Sequence, residues 1–462
     1  MIRSLENQET VSAAPWKIGL AIVVIASGFF LVEHELFISQ RVELGYANDL
    51  TALEKSAESG AWTNKVGFSL IGLLGCGYLM IGAQRQWRVR NLMAAILFVG
   101  LAWLYASVIW SADPVRTVKN LVIASFLLIG AAGIARQFTG RQFVVCVWGV
   151  STAFLIVGIA IEIALGTFQP WNATYRFAGT LHPNGAGPNC VFCALTSFLL
   201  CCESHRLRQR VFFIALTALA AALLYCTRSR STFAAFTLAL SLLIALRLPL
   251  TKTLLLGFAA FWTGSFALLV ATAANAPIAE RLVGVFLMGR TTQLDSLNGR
   301  AELWDLVFHY IEQRPVTGYG YAGFWREDVI AKFAAYTGWS MNSAHSMYLD
   351  CVLGLGYVGL GLLVVALVAG GGTAAWQFAR HKSAVAGLAA ATLLFGSATG
   401  LTESSLYLPS FATFIAIGSV LATSLFRHVE CRDAWRPDVT GAFVGSARSS
   451  FTTLRPSLNW QE

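Results

Sequence analysis

Charged residues are scarce in this sequence. They make up 12% of its 462 residues, whereas an ordinary soluble domain carries about 25%. Apolar residues account for 56%, and apolar runs recur along most of the chain. This composition excludes a water-soluble globular protein and a long, charge-rich disordered tail. It is typical of a multi-pass membrane protein.

The sequence also lacks the patterns of a disulfide framework or a metal site. Its nine cysteines lie mostly within apolar runs, and the CxxC of Cys190 and Cys193 has no second pair at zinc-like spacing. No cluster of His, Cys and carboxylate residues has ligand spacing, so we expect no metal and no cofactor. The net charge of +9 comes from short basic clusters between apolar runs. These clusters indicate membrane orientation rather than nucleic-acid binding.

Apolar runs predict an all-α polytopic membrane protein with about 12 transmembrane helices, because a spanning helix needs about 20 apolar residues. The candidate spans are centred near residues 24, 74, 101, 126, 154, 193, 218, 240, 262, 358, 393 and 417. The first run has no small-residue cleavage site, so we expect a retained anchor. Basic clusters occupy alternate short loops and both termini, which places both termini in the cytoplasm.

One predicted extracytoplasmic loop is far longer than the others. The resulting division of the chain is residues 1–273 with the first nine helices, residues 274–346 as the loop, residues 347–426 with the last three helices, and residues 427–462 as a cytoplasmic tail. Apolar residues at helical spacing predict two amphipathic helices within the loop. Their apolar faces carry Leu303, Val307 and Ile311 in the first and Trp325, Val329 and Phe333 in the second. We expect this loop to form a small folded cap.

Polar and ionisable residues of the predicted membrane region gather at the extracytoplasmic helix ends. Such residues are costly in a bilayer and usually mark function. They are Glu162, Arg176, His182, Asn184, Arg228, Arg230, His345, Asp350 and Glu403. A proton pump or an ion-coupled carrier is expected to place charge near the midplane of the bilayer. The observed pattern favours chemistry on a lipid head group.

Each of these residues also has a structural interpretation. Arg228 and Arg230 are consistent with interfacial arginines, whose side chains extend their charged ends to the lipid head groups. Glu162 fits a solvated helix end, and Asp350 fits an ion pair with a cation of an outer loop. A lone histidine such as His345 is more often structural than catalytic. The sequence around these residues is what favours a functional role.

Several segments resemble the O-antigen ligase and Wzy-type polymerase superfamily. They are residues 298–325, 344–359, 179–187, 227–231 and 110–114. The first holds Gly-Arg, a Trp four residues later, and a Pro before Gly-Tyr-Gly. The second holds Ala-His-x-x-Tyr-Leu-Asp before a glycine-rich helix start, and together with Gly-Tyr-Gly-Tyr-x-x-Phe-Trp it is most similar to ExoQ-like exopolysaccharide polymerases. Ser346 departs from the family pattern, in which an Asn usually follows the His.

The resemblance implies a GT-C-type membrane fold, a polyprenyl-pyrophosphate-linked glycan donor, a glycan acceptor and no metal requirement. It implies that His345 is the base that takes the proton of the acceptor hydroxyl. Fixed arginines can stabilise the leaving pyrophosphate, and the candidates are Arg300, Arg230, Arg228 and Arg176. The supporting or sugar-binding candidates are His182, Asn184, Tyr319, Asp350 and Glu403.

The leading hypothesis is a polymerase that joins lipid-linked oligosaccharide repeat units into a cell-surface polysaccharide at the outer face of a bacterial inner membrane. Membrane lipids are expected partners, and a chain-length regulator is a further one. The alternative is an O-antigen ligase that transfers the glycan to lipid A-core. A lipid-linked glycan transporter is the hypothesis from another class, and it predicts a polar path through the midplane and no folded cap. A purely structural membrane scaffold is the remaining interpretation.

Overall fold

The structure of the chain is a computed structural model that describes residues 13–35, 62–81, 85–87, 91–172, 174–249, 251–252, 257, 300–338 and 341–428. Long apolar runs fold as helices because a helix satisfies its own backbone hydrogen bonds in lipid. The helices are α1 (Pro15–Glu33), α2 (Trp62–Met80), α3 (Leu92–Ala106), α4 (Pro114–Gln137), α5 (Gly140–Leu165), α6 (Pro183–Glu203), α7 (Leu207–Thr227), α8 (Arg230–Arg247), α9 (Arg300–Gln313), α10 (Glu327–Thr337), α11 (Met347–His381), α12 (Ala384–Thr399) and α13 (Phe411–Val420). A π-helical turn, Leu421–Leu425, continues α13, and the short strands β1 (Arg85–Trp87) and β2 (Phe426–His428) pair antiparallel.

The predicted multi-pass membrane fold is confirmed. Seven of the described helices are long and apolar enough to cross a membrane, namely α1, α4, α5, α6, α7, α8 and α11. The predicted spans near residues 74, 101, 393 and 417 fall on α2, α3, α12 and α13, which are shorter or less apolar. The span near residue 262 and the first part of the long loop lie outside the described residues. The count of about 12 and the full extent of the loop therefore stay predictions.

Hydrogen bonds between loops and helix ends show which loops lie together at each end of the helix bundle. At one end, Asn91 Nδ2 donates to Ser424 O over 2.6 Å, and Lys382 Nζ donates to Leu246 O over 2.6 Å. The segments at this end are β1, β2, residues 138–139, 204–206, 248–249 and 382–383, and we call it the basic end. Because successive helices run in opposite directions, every second loop returns to it.

The opposite end carries the motif residues, and we call it the motif end. Here Phe411 N donates to Glu33 Oε1 over 2.8 Å, and Trp110 Nε1 donates to Thr317 O over 2.8 Å. The segments at this end are residues 34–35, 107–113, 166–182, 228–229, the cap helices α9 and α10 with their connections, and residues 341–346 and 400–410. All segments that carry the family resemblance therefore have residues at one end of the helix bundle.

Close helix packing relies on glycine where α2 crosses α4. A methyl group at Gly133 would lie 2.5 Å from Gly75 O, and one at Gly75 would lie 2.5 Å from Gly130 Cα. Without these side chains the two backbones come into direct contact. Small residues at a crossing are the usual means of close packing between membrane helices.

α11 is broken close to its motif end. Gly356 has φ 69 and ψ −175, outside the helical region. The polar groups freed by the break find partners in other segments: Tyr357 N donates to Pro315 O over 2.8 Å, and Trp103 Nε1 donates to Leu355 O over 3.0 Å. A break in a membrane helix is stable only when such groups are satisfied again. The first residues of α11 therefore form a separate short helix below the cap.

The described part of the long loop is folded as expected. Leu303, Val307 and Ile311 of α9 are at most 3% exposed, so the predicted apolar face is confirmed. The apolar face of α10 is also buried. Its start differs slightly from the prediction, because α10 begins at Glu327 and Trp325 precedes it. Trp325 still packs in the cap core, since it is 6% exposed.

The two ends allow a direct test of orientation. If the basic end is cytoplasmic, a membrane-impermeant maleimide should label Asn342→Cys in intact spheroplasts and Gln209→Cys only after lysis. Both positions are exposed, the first at the motif end and the second near the basic end. The parent protein, with its native cysteines, sets the background labelling. The opposite pattern would invert the topology and move the motif end into the cytoplasm.

Candidate functional site

The carboxylate of Glu403 joins two of the predicted site residues. Its Oε1 accepts a hydrogen bond from Arg300 Nη2 over 3.1 Å, and its Oε2 lies 3.6 Å from His345 Nδ1. Arg300 opens α9, His345 lies in the turn before α11, and Glu403 lies in the turn after α12. The three side chains are 17%, 29% and 29% exposed. We call this group the Arg300–Glu403–His345 triad.

The backbone holds His345 in an unusual conformation. Its φ is 49, in the left-handed region that residues other than glycine rarely adopt. The preceding residue is fixed on both sides, because Ala344 N donates to Asp350 Oδ1 over 2.9 Å and Trp304 Nε1 donates to Ala344 O over 3.0 Å. A strained residue persists only where its surroundings determine it in this way, and such residues cluster at functional sites. The imidazole is therefore positioned in advance.

Asp350 is the buried centre of this support. It is 3% exposed, and its carboxylate accepts hydrogen bonds from Trp325 Nε1 and Ala344 N, each over 2.9 Å, and from the Ser404 hydroxyl. These donors come from the cap, the His345 turn and the loop after α12. Among the described residues, no lysine or arginine of an outer loop forms an ion pair with this carboxylate, which is contrary to the structural interpretation of Asp350.

A second set of bonds joins the start of α11 to the loop after α12. Met347 N donates to Gly400 O over 2.8 Å, and Tyr348 OH donates to Ser397 O over 2.9 Å. Ser346, which departs from the family pattern, donates its hydroxyl to Gly400 O over 3.4 Å. The turn that carries Glu403 is thus fastened to the turn that carries His345.

Five further predicted residues lie before or at the start of α6 and between α7 and α8, and we call them the Arg176 cluster: Arg176, His182, Asn184, Arg228 and Arg230. Arg176 Nη2 donates to Asn184 Oδ1 over 3.2 Å, and its Nε donates over 3.1 Å to the carbonyl of the residue before Arg228. His182 Nδ1 accepts from Asn184 N over 3.3 Å and caps α6. Arg228 has a left-handed φ of 55, and Arg230 opens α8. The Arg176 guanidinium therefore links the start of α6 to the connection between α7 and α8.

Glu162 fastens the loop that carries Arg176. It is 1% exposed and accepts hydrogen bonds from Ala178 N over 2.9 Å, from Gly179 N over 2.7 Å and from Tyr175 OH. The interpretation of Glu162 as a solvated helix end is therefore wrong, because backbone donors of the loop replace water. Burial and the bond to Glu162 raise the pKa of Tyr175, so its hydroxyl keeps its proton as a donor.

The end of α1 supports the same loop. His34 Nδ1 lies 2.6 Å from Thr180 Oγ1, and Glu35 N donates to Thr180 O over 2.7 Å. Burial lowers the pKa of His34 to about 4. This imidazole is therefore neutral at ordinary pH and adds no charge next to the Arg176 cluster.

The packing of α6 on α12 brings the two groups to the same end of the bundle. The rings of Phe192 and Phe395 are in edge contact, with centroids 5.7 Å apart. From Phe192 to Asn184, α6 rises about 12 Å towards the motif end. α12 ends at Thr399, and the turn that carries Glu403 follows it at the same end.

The packing of α8 on α12 places Arg230 at this end too. Leu242 packs against the cluster that contains Ala389 and Ala390 of α12. From Leu242 to Arg230, α8 rises about 18 Å towards the motif end. The Arg176 cluster and the triad therefore both lie at the motif end.

Tyr319 is the predicted site residue that the structure places elsewhere. It is 9% exposed, its hydroxyl donates to Tyr310 O over 3.0 Å, and the Arg314 guanidinium lies 4.9 Å from its ring centroid. Burial raises the pKa of Tyr319. These contacts belong to the core of the cap, so the side chain packs within the cap rather than beside the triad.

Sequence reasoning missed three supporting residues. Trp304 and Trp325 lie within the segments that resemble the family, but nothing in their local sequence indicates that they hold the His345 turn. Ser404 follows Glu403, yet its partner Asp350 lies 54 residues away along the chain. Contacts over such separations leave no periodic signal in one sequence.

The triad does not resemble a metal site. It offers one carboxylate and one imidazole, and the Arg300 guanidinium beside them repels a cation. Among the described residues, no group of three or more His, Cys, Asp or Glu could hold a metal ion. Acid–base and electrostatic chemistry is what these three side chains can provide.

An apolar groove of about 240 Å³ lies between α3, α4, α11 and α13. At the motif end it is bordered by Cys351, which follows Asp350, and by Tyr407, which shares a loop with Glu403. Along α11 it continues to Ala366, which is about 20 Å further from the motif end. The groove thus connects the level of the triad with the apolar middle of the bundle.

Comparison with known proteins identifies one family. Residues 215–364 match the family model described as O-antigen ligase. This match includes the second part of α7, all of α8, α9 and α10, and the first part of α11, and so it covers Arg300 and His345. The predicted resemblance to the O-antigen ligase and Wzy-type superfamily is thereby confirmed, whereas the ExoQ-like subtype stays a prediction. No curated protein matches the chain.

The buried carboxylate suggests a test of the support below His345. Asp350→Ala leaves buried donors of Trp325 and Ala344 unsatisfied, which costs about 1–3 kcal/mol for each. We expect a lower midpoint of thermal unfolding in detergent micelles, followed by tryptophan fluorescence. The matched control is Asp328→Ala, since that carboxylate is exposed and pairs only over 3.2 Å with Arg326. An unchanged midpoint for Asp350→Ala would show that its carboxylate does not hold the turn.

Proposed function

We propose that this member of the O-antigen ligase and Wzy-type superfamily polymerises polyprenyl-pyrophosphate-linked oligosaccharide repeat units. The family acts on lipid-linked glycans in membranes, and the proposal adds the reaction and the roles of the residues. The observation that carries it is the Arg300–Glu403–His345 triad at the motif end. A base, an anion and a guanidinium at one membrane surface suit transfer from a lipid pyrophosphate.

The proposed reaction is a displacement at an anomeric carbon. The acceptor hydroxyl oxygen forms the new bond to that carbon, and the bond from the carbon to the pyrophosphate oxygen breaks. The hydroxyl proton passes to His345 Nε2, because Nδ1 faces Glu403. Polyprenyl pyrophosphate leaves with the bonding electron pair. No metal ion is needed for this balance.

Fixed positive charge would stabilise the leaving pyrophosphate. Arg300 is the first candidate, because the Glu403 carboxylate that its guanidinium binds also lies next to His345. Arg176, Arg228 and Arg230 lie at the same end of the bundle, so we assign them to the second phosphate or the first sugars. Guanidinium groups bind phosphate through two parallel hydrogen bonds, which a lysine cannot reproduce.

The apolar groove supports the lipid part of the donor. A polyprenyl chain attached to a pyrophosphate at the triad must enter an apolar path directly beneath it. The groove begins beside Cys351 and Tyr407, of which the second shares a loop with Glu403, and runs about 20 Å along α11. We assign the first isoprene units of the donor to it.

Orientation and domain organisation complete the proposal. The motif end is opposite the basic end, so the positive-inside tendency places the reaction at the outer face of a bacterial inner membrane and both termini in the cytoplasm. Residues 274–346 would then form an extracytoplasmic cap between the first nine and the last three helices. The expected partners are the lipid-linked donor, the glycan acceptor and a chain-length regulator.

An O-antigen ligase is the second candidate, because the matching family model carries that description. Both enzymes would use the same donor and the same base, and they differ in the acceptor. Purified protein given lipid-linked repeat units alone should produce lengthened chains if it is a polymerase. Product that forms only after lipid A-core is added would favour the ligase.

The role of the base can be tested with His345→Gln. The amide can hold a hydroxyl but cannot take its proton, so the rate should fall by about 10²–10⁴-fold. Product formation from lipid-linked repeat units should be followed against pH. The parent protein should lose rate on the acid side as its base becomes protonated, and the variant should lack this limb. Parent-like rates for His345→Gln would assign the base to another group.

The groove can be tested by filling it. Gly100 lines the groove, and a side chain there meets nothing within 4 Å. Gly100→Trp should raise the KM of a long-tailed donor about tenfold, because displacing two buried CH₂ groups already costs about 1.6 kcal/mol. The KM of a donor with a very short tail should stay unchanged.

Gly77→Trp is the matched control for this substitution. Gly77 lies on an exposed face of α2, and a side chain there also meets nothing within 4 Å. It should leave both KM values unchanged. Equal effects of Gly100→Trp on long-tailed and short-tailed donors would contradict the assignment of the groove.

A further inference from the structure

We infer that Glu403 is a mobile positioning residue that moves from Arg300 to His345 when the donor pyrophosphate binds. Donor binding would then activate the base. The inference rests on the proposed function, because it takes a polyprenyl pyrophosphate as the ligand of Arg300. It concerns the order of events at the site rather than the identity of the reaction.

The starting point is the unequal engagement of the two carboxylate oxygens. Oε1 lies 3.1 Å from Arg300 Nη2, within hydrogen-bond distance. Oε2 lies 3.6 Å from His345 Nδ1, which is beyond the distance of a hydrogen bond. The carboxylate is therefore committed to the guanidinium, and it falls about half an ångström short of the imidazole.

The surroundings allow the Glu403 side chain to move while its backbone stays in place. Met347 N donates over 3.2 Å to Glu403 O, so the main chain is fastened to the start of α11. The side chain itself is 29% exposed. Asp350, the other carboxylate that interacts electrostatically with His345, is buried and bound by three donors. Only one of the two carboxylates is thus placed to respond to a ligand.

A pyrophosphate competes directly for the partner of Glu403. It carries more negative charge than a carboxylate, and its oxygens match the two-pronged geometry of a guanidinium. The Arg300 side chain is only 17% exposed, and partial burial strengthens such charge-assisted bonds. Once the pyrophosphate binds Arg300, Glu403 loses its hydrogen bond and is repelled by the new anion.

The nearest alternative partner is the imidazole. A hydrogen bond from His345 Nδ1 to Glu403 would leave Nε2 unprotonated and directed towards the acceptor. The anion would also stabilise the imidazolium that forms when the proton arrives. Among the described residues, the carboxylates of Glu403 and Asp350 interact with the imidazole, and Arg300 is linked to it through Glu403. Without a donor, Glu403 keeps its hydrogen bond to Arg300.

The test uses Glu403→Gln in the full-length protein with lipid-linked repeat units. We expect kcat to fall by about 10–100-fold, less than the loss on removing the base itself. The KM of the donor should not rise, because Arg300 no longer has a competing anion. The acid limb of the pH–rate profile should move to lower pH by about one unit, since an adjacent anion no longer favours the imidazolium.

Asp328→Asn is the matched control, because it removes an exposed carboxylate of the cap that, like Glu403, pairs with an arginine, Arg326. It should change neither kcat nor the acid limb. A merely structural role for Glu403 would lower kcat and raise the donor KM together, with the acid limb unmoved. That result would overturn the inference.

A measurement that does not depend on turnover separates this inference from the proposed function. The protein is labelled with ¹³C-histidine, and His345→Gln identifies the signal of His345. Farnesyl pyrophosphate, used as the probe, should move the titration of this signal upward by about one pH unit in the parent. Glu403→Gln should lack the shift.

An equal shift in both proteins would mean that the pyrophosphate acts on His345 directly, and the transfer of Glu403 would be refuted. Absence of a shift in the parent would also refute it. Failure of the parent to use any polyprenyl-linked glycan would instead refute the proposed function. The two failures are therefore distinguishable.

Discussion

A helix that breaks inside a membrane must satisfy the backbone groups it releases, and the break of α11 at Gly356 imposes this requirement on the motif end. The carbonyl of Leu353 accepts from Tyr319 N over 2.7 Å, and Tyr357 N reaches Pro315 O over 2.8 Å. Both partners belong to the connection after α9. The cap is therefore bound to α11 through backbone hydrogen bonds. The other end of α9, which begins at Arg300, is held to the turn before α11 by the hydrogen bond from Trp304 Nε1 to Ala344 O.

Two buried carboxylates then convert this attachment into a defined site. Asp350 collects donors from the cap, the His345 turn and the loop after α12, while Glu162 collects donors from the loop that carries Arg176. Each replaces water by fixed hydrogen-bond donors, which satisfies a buried anion. Both act on loops rather than on substrate. Their effect is to hold the His345 turn and the loop of Arg176 in place at the motif end.

The sequence alone predicts the helices and the buried faces of the cap because both depend on local periodicity. It also predicts the level of the site, since charged residues at helix ends must lie near the membrane surface. It cannot assign roles to the two carboxylates near His345. Asp350 and Glu403 look alike as helix-end acids, yet one is buried support and the other contacts Arg300. That difference depends on contacts between residues 54 and 103 positions apart.

Tyr319 is a case in which the sequence predicts a site residue that the structure places in the core of the cap. Its Gly-Tyr-Gly setting marks it as a functional candidate, and the glycines are indeed required by the turn. Gly320 has φ 89, and a methyl group there would lie 2.4 Å from the hydroxyl of Ser111. The constraint that the motif expresses is therefore the close approach of the cap to the connection between α3 and α4. A motif can thus mark the packing that carries a site as well as the site itself.

The distribution of charge favours a transferase over a transporter. In the described part of the chain, the polar residues of the segments that resemble the family lie at one end, and an apolar groove runs from the start of α11 towards the middle of the bundle. A transporter needs polar partners along the path of its cargo, whereas a transferase that keeps its lipid substrate in the membrane needs an apolar path for the tail and charge only at the head group. The second requirement matches the groove and the triad together. The Glu403 carboxylate lies between the Arg300 guanidinium and the His345 imidazole. A head group that binds the guanidinium would therefore also come close to the base.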